Sequence, residues 1–196
     1  MSAKRKFDVI VFGATGYTGG LVAQYLAKVS AQENLRWALA GRNLEKLEAV
    51  KQSLPKSGNY TEPALLQAEV NDAASINALA ASATAIITTV GPYLQYGEPL
   101  LKACAEQGTH YVDLTGEPFF VQAMRQKYDA IAQKTGAKIV NSCGFESIPP
   151  DMAVLYAVNV LRSRLGTQRF ATEKVVVHGA AEGFSMPSGG TWHSAV

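Results

Sequence analysis

The stretch VFGATGYTGG (11–20) sets three glycines, Gly13, Gly16 and Gly19, at intervals of three, behind the apolar run FDVIVF (7–12) and ahead of a helical pattern. A chain gives up side chains in this way where its backbone turns tightly or lets another group come close. Between a strand and a helix, the first glycine permits the turn, the second lets a phosphate approach and the third allows close packing of helix on strand. The amides at a helix N-terminus lack intrahelical acceptors and its dipole is positive there, so an anion is the expected guest. The spacing Gly-x-x-Gly-x-x-Gly is not the usual Gly-x-Gly-x-x-Gly, so the weight rests on context, against a turn that holds no guest.

That context is an alternation of short apolar runs with helix-period segments. RWALA (36–40), ALLQAEV (64–70), TAIITTV (84–90), THYVDL (109–114) and AKIVNS (137–142) follow the first run as five further strands. Between them, residues 18–29 place Leu21, Val22, Tyr25, Leu26 and Val29 on one helical face, and Asn43 caps a helix carrying Leu44, Leu47, Val50 and Leu54. A short helix is expected near 73–82. Pro99 with Gly108, and Pro118 with Gly136, bracket two more. Near-continuous apolar strands separated by helices predict a parallel sheet covered on both faces, and right-handed crossovers make it a doubly wound α/β Rossmann sheet. This domain is expected to span 1–148. Residues 149–196 read as a connecting helix, PPDMAVLYAVNVLRSRL, and a strand, KVVVHGAA (174–181), the beginning of an incomplete α+β domain that stops at SGGTWHSAV.

Composition narrows the function classes. Of 196 residues 47% are hydrophobic and 17% charged, with a formal net charge of +2 and one basic cluster, AKRK (3–6), which excludes the broad basic face that nucleic acid requires. The only cysteines, Cys104 and Cys143, form no CxxC and have no histidine at ligand spacing, so no metal site is expected and a reducing, cytoplasmic setting fits. No run approaches the ~18 apolar residues of a membrane span. The first apolar run is shorter than a signal-peptide core.

Cofactor choice is read at the end of the second strand, where an acid would take the adenosine ribose 2′-hydroxyl. Gly41-Arg42-Asn43 offers no carboxylate. Arg42 would pair with a 2′-phosphate, so NADPH is expected over NADH, the alternative being an ordinary surface charge. Downstream, TTVGPYLQYGEP (88–99) lies at the carboxyl ends of the strands, where Gly91 and Pro92 shape backbone beside the nicotinamide half. Tyr93 offers a phenol to a substrate or, with Tyr96, closes the turn as a packed aromatic. Asp113 and Glu117 follow strand five; Glu117 precedes Pro118 and is expected to complement that helix N-terminus, while Asp113 stays ambiguous. Cys143, in NSCGFESIPPD, is a thiolate candidate for acylating semialdehyde-type chemistry or a buried structural thiol. His178 and His193, the later histidines, are the potential bases for it. None of the eight tyrosines has a lysine four residues later, which excludes the usual short-chain reductase pair. A non-catalytic NADP-binding sensor or partner subunit is a further alternative.

Taken together, VFGATGYTGG, AGRN, TTVGPYLQYGEPLLKACAEQGTHYVDLTGE and NSCGFESIPPDM resemble the saccharopine dehydrogenase-like oxidoreductases, in the branch that includes the trans-acting enoyl reductases. The resemblance implies an NADP-binding Rossmann domain followed by a mostly β substrate domain, in proteins about twice this length, from which this chain departs by truncation. It implies that Gly13, Thr15, Gly16, Tyr17 and Thr18, with Ala14 and Gly19 completing the turn, hold the pyrophosphate. Arg42 would hold the adenosine phosphate beside Asn43, and Val90, Gly91 and Pro92 the nicotinamide side. A full-length member would be an enzyme transferring hydride to a carbonyl, imine or activated double bond of a small or lipid-like molecule, and a homo-oligomer is an expected form.

Overall fold

The first apolar run forms β1 (Phe7–Phe12), the central strand of a sheet that the computed structural model describes over residues 5–56 and 58–166, together with 174, 176 and 177. The elements that follow are α1 (Tyr17–Glu33), β2 (Trp37–Gly41), α2 (Leu44–Ser53), β3 (Ala64–Gln67), α3 (Ala73–Ser82) and β4 (Ala83–Thr88). Then come α4 (Tyr93–Tyr96), α5 (Glu98–Gln107), β5 (His110–Asp113), α6 (Pro118–Thr135), β6 (Ile139–Val140) and α7 (Ile148–Leu165). The single turn of α4 falls inside the loop expected after the fourth strand.

All six strands are parallel, in the order β3-β2-β1-β4-β5-β6. The chain therefore winds outward from β1 to β3, returns through α3 to β4 and winds outward again on the other side. This reversal puts the carboxyl ends of β1 and β4 next to each other, and their loops diverge around a crevice. Alternate residues of each strand serve two cores. Ile10, Phe12, Ile86 and Tyr111 meet Leu100, Leu101, Cys104 and Phe120 on the face of α3, α5 and α6. Val11, Trp37 and Leu39 meet Ala23, Leu26 and Leu47 on the face of α1 and α2. On this second face the cover thins along one row: Val11 is 0% exposed, its neighbours Ile87 and Val112 are half-buried, and Val140 at the edge is 47% exposed.

One expectation needs correction, and one element that formed as expected adds a finding. The buried stripe of α1 is Gly19, Ala23, Leu26, Ala27 and Ser30, whereas Leu21 and Tyr25 are 50% and 67% exposed. The helix lies so close to β1 at Gly19 that small residues dominate the contact, Leu26 being the one large side chain buried there, while Leu21 and Tyr25 are turned to the flank. Second, α7 forms as the pattern predicts, yet none of its residues is buried and Met152, Leu155 and Tyr156 stay open. The strand expected at 174–181 lies largely outside the described residues, as do His178 and His193. Gly108 (φ 71°) and Gly136 (φ 80°) end α5 and α6 in the left-handed conformation, as their positions predict.

Candidate functional site at the carboxyl edge of β1 and β4

The glycine turn joins β1 to α1 at the crevice. Gly13 sits at φ 88° and donates its N–H to Ala40 O at 3.0 Å. A side chain there would meet Thr89 Oγ1 and Val90 Cγ2 at 2.8 Å. Gly19 is tighter still, its absent Cβ falling 2.2 Å from Gly13 O. Gly16 differs, because a Cβ on it would come no closer than 3.4 Å to any described atom, again Gly13 O. The fold itself demands Gly13 and Gly19, while the bareness of Gly16 leaves room for something outside the chain. Gly16 is the N-cap of α1 and makes no side-chain cap, and no acidic residue occupies the first turn. By contrast α2 and α3 are capped by Asn43 and Asp72. Thr15, Gly16 and Tyr17 are exposed, Thr18 is half-buried and Ala14 is buried beneath them. An uncapped helix N-terminus behind a glycine that nothing crowds is an arrangement that favours an anion.

At the end of β2, Arg42 is exposed, and its guanidinium meets no described carboxylate or acceptor; its carbonyl accepts Gln67 Nε2 at 3.2 Å. Asn43 is committed to the fold, its Oδ1 accepting the Lys46 amide at 2.8 Å.

Across the crevice, Thr89 stitches the β4 loop to the glycine turn. Its amide donates to Phe12 O at 3.0 Å and its hydroxyl to Gly13 O at 3.2 Å. The loop then passes Val90, Gly91 and Pro92, all half-buried, with the Gly91–Pro92 peptide cis. Tyr93 turns inward, 5% exposed, its ring against Phe120 and its hydroxyl donating to Thr88 O at 3.1 Å. Burial foremost, then the charge of Asp113, holds this phenol well above its ordinary pKa. Glu117 lies at the start of α6 but makes no side-chain cap there. Its carboxylate accepts the amides of Tyr93 at 2.9 Å and Leu94 at 2.8 Å, so it complements the N-terminus of α4 and not that of the helix it precedes. Thr88, Thr89 and the true partner of Glu117 carried no mark in the sequence.

Asp113 closes β5 at 2% exposure and accepts four hydrogen bonds. These come from Tyr111 Oη at 2.9 Å, Thr115 N at 3.1 Å, Asn141 Nδ2 at 2.6 Å and Ser142 N at 2.9 Å. These bonds make it a polar hub that joins the carboxyl ends of β5 and β6. Cys143 is exposed and not buried, because β6 ends at Val140 and the chain has left the sheet. Partial desolvation, then the Asp113 charge, pushes its thiol above the ordinary value, the opposite of what a nucleophile requires. Iodoacetamide at neutral pH is therefore expected to label Cys143 no faster than a free thiol, and a rapid stoichiometric labelling would restore the acylating alternative. Burial pushes Cys104 up to about 12, and it should label only on unfolding.

Among the described residues no three His, Cys, Asp or Glu side chains are grouped to hold a metal, and no helix is long and apolar enough to cross a membrane. A cleft of 340 Å³ between α6 and β6, lined by Leu101, Met124, Tyr128 and Ile139 among others, shares no residue with the glycine turn.

Comparison with known proteins agrees with the fold and shows the family. The family model for the saccharopine dehydrogenase NADP binding domain matches residues 9–140. A protein of Mycobacterium tuberculosis, provisionally named as a trans-acting enoyl reductase, is 42% identical over 187 residues, covering 95% of this chain and 43% of the relative. The saccharopine dehydrogenase-like oxidoreductase of Homo sapiens is 37% identical over 201 residues, covering 98% and 46%. Among solved structures, apo saccharopine dehydrogenase (L-Glu forming) from Saccharomyces cerevisiae has a TM-score of 0.60 at 18% identity, over 82% of this chain and 32% of that one, a likeness of fold. The chain thus spans less than half the length of the curated relatives it matches.

Proposed function

The chain belongs to the saccharopine dehydrogenase NADP-binding family, and from that premise we propose that it is the cofactor-holding part of an NADPH-dependent oxidoreductase. The observation that carries the reading is the cradle at Gly16, a helix N-terminus that no side chain caps behind a glycine that no described atom crowds. The turn from Gly13 to Thr18 would hold the pyrophosphate, through amides other than those of Gly13 and Gly16, which donate to Ala40 O and Gly13 O; Arg42 would hold the adenosine 2′-phosphate, and the Val90–Pro92 backbone the nicotinamide side. The bound dinucleotide supplies hydride chemistry, and the chain's own residues bind and orient it. Gly19 and Thr89 keep the two loops in register. Glu117 and Asp113 fix the loops that follow β4 and β5.

The acceptor in this reading is a carbonyl, imine or activated double bond in a small or lipid-like molecule; the enoyl reductase name of the mycobacterial relative supports the activated double bond. The open apolar side chains of α7 support a homo-oligomer, and two free thiols fit a cytoplasmic setting. The raised thiol of Cys143 disfavours the acylating alternative.

Fluorescence titration with NADPH and NADH tests the reading. The wild type is expected to prefer NADPH, and Arg42→Ala to lose about tenfold to a hundredfold in NADPH affinity, the scale of charge-assisted hydrogen bonds, with NADH unaffected. Equal affinity for both cofactors in the wild type would remove Arg42 from the site. Binding of neither to folded protein would remove the function itself. Binding without turnover across a panel of enones, imines and aldehydes would leave the non-catalytic sensor.

A further inference from the structure

We propose that Glu117 is a positioning residue for the nicotinamide side: without touching the cofactor, its carboxylate fixes the backbone that receives the nicotinamide. The inference rests on the cofactor reading above and adds to it a residue from a different loop. Three observations carry it.

Glu117 is 8% exposed and spends one carboxylate oxygen on the Tyr93 amide and the other on the Leu94 amide. These are the first two amides of α4, and a helix of one turn cannot hold its own conformation without outside partners. Glu117 is itself fixed, its amide donating to Thr115 Oγ1 at 3.1 Å while the Thr115 amide donates to Asp113 Oδ1 at 3.1 Å. From the other side, Thr89 ties the start of the same loop to Gly13 O, and Tyr93 Oη returns to Thr88 O. The segment Val90–Pro92 is thus held at both ends, by the glycine turn and by Glu117. A carboxylate receiving two amides at 2.8–2.9 Å is a strong and directional tether. Released, the loop would keep its sequence and lose its fixed shape.

The test compares NADPH with 2′-phospho-ADP-ribose, which carries the adenosine phosphate and the pyrophosphate but no nicotinamide. In the full chain, Glu117→Gln replaces one acceptor oxygen by a donor, and Glu117→Ala removes both. Each is expected to weaken NADPH binding by about tenfold, the cost of re-ordering about one released loop residue on binding, and to leave 2′-phospho-ADP-ribose within about twofold. An equal loss for both probes would mean a general structural role and would overturn the proposal, as would no loss for either. Where a variant fails to fold, amide exchange in the wild type decides. The Tyr93 and Leu94 amides are expected to slow with NADPH and not with 2′-phospho-ADP-ribose; equal slowing, or none, overturns the proposal. Failure of the wild type to bind either probe is a separate result, which sinks the cofactor reading instead.

Discussion

Gly19→Ala is expected to lower stability by about 3 kcal/mol, the upper part of the range for forcing an atom into a packed core, and to abolish NADPH binding. The new methyl would lie 2.2 Å from Gly13 O and 2.8 Å from Gly13 C and Thr89 Oγ1. The nearest of these atoms are backbone in a turn whose own amide is bonded to Ala40 O, so the helix must withdraw from β1. That withdrawal pulls the turn from Thr89 and separates the two loops of the crevice. Gly16→Ala provides the contrast. Its Cβ finds ordinary contact at 3.4 Å, and the cost is about 1 kcal/mol or less, from the poorer N-cap. Cofactor affinity should nevertheless fall more than about tenfold, because a methyl would then occupy the place proposed for a phosphate oxygen. Urea unfolding and NADPH titration of both variants separate the two roles. A Gly16→Ala protein that binds normally would mean the cradle is empty of function.

The second large effect is expected at Asp113. Asp113→Ala leaves Tyr111 Oη, Asn141 Nδ2 and the amides of Thr115 and Ser142 without their acceptor. Each stranded buried donor costs about 1–3 kcal/mol, and because the four share one site the loss should be about 4 kcal/mol and not their sum. Asp113→Asn keeps the shape but turns an amide N–H2 toward two of the donors, so roughly half of that loss is expected. The urea midpoint of each variant is the measurement. A fully stable Asp113→Ala protein would mean that the four bonds do not carry the junction of β5 and β6, and would return this carboxylate to the list of chemical candidates.

Much of the fold was legible because its signals are local. Apolar runs with β-branched residues and helices closed by Gly108 and Gly136 write the βα alternation into short segments, and Asn43 caps α2 as its position predicted. The glycine turn was legible for the same reason. Where the reading slipped, the cause was distance. In α1 the helical period was right and the buried face was not, since the approach of helix to strand, set by Gly19, favours Ala23 and Ala27 over Tyr25. Glu117 was assigned to its neighbouring helix because only that helix is visible from position 117. Cys143 was read as a thiolate candidate or a buried structural thiol, and it is exposed because the sheet edge ends at Val140, a boundary that the run AKIVNS does not mark.

The amino-acid sequence by itself determined the order of elements, the parallel doubly wound sheet and the place of the glycine turn, all of which follow from patterns within ten or twenty residues. Only the tertiary structure decided which polar groups meet. Glu117 reaches partners 23 and 24 positions away, Asp113 partners 28 and 29 away, and Thr89 one 76 away. Such pairs have no signature along the chain. They exist because the reversal of winding at β1 and β4 gathers the carboxyl ends of the strands, and a buried hydrogen-bonding group must take a partner from whatever the fold sets beside it.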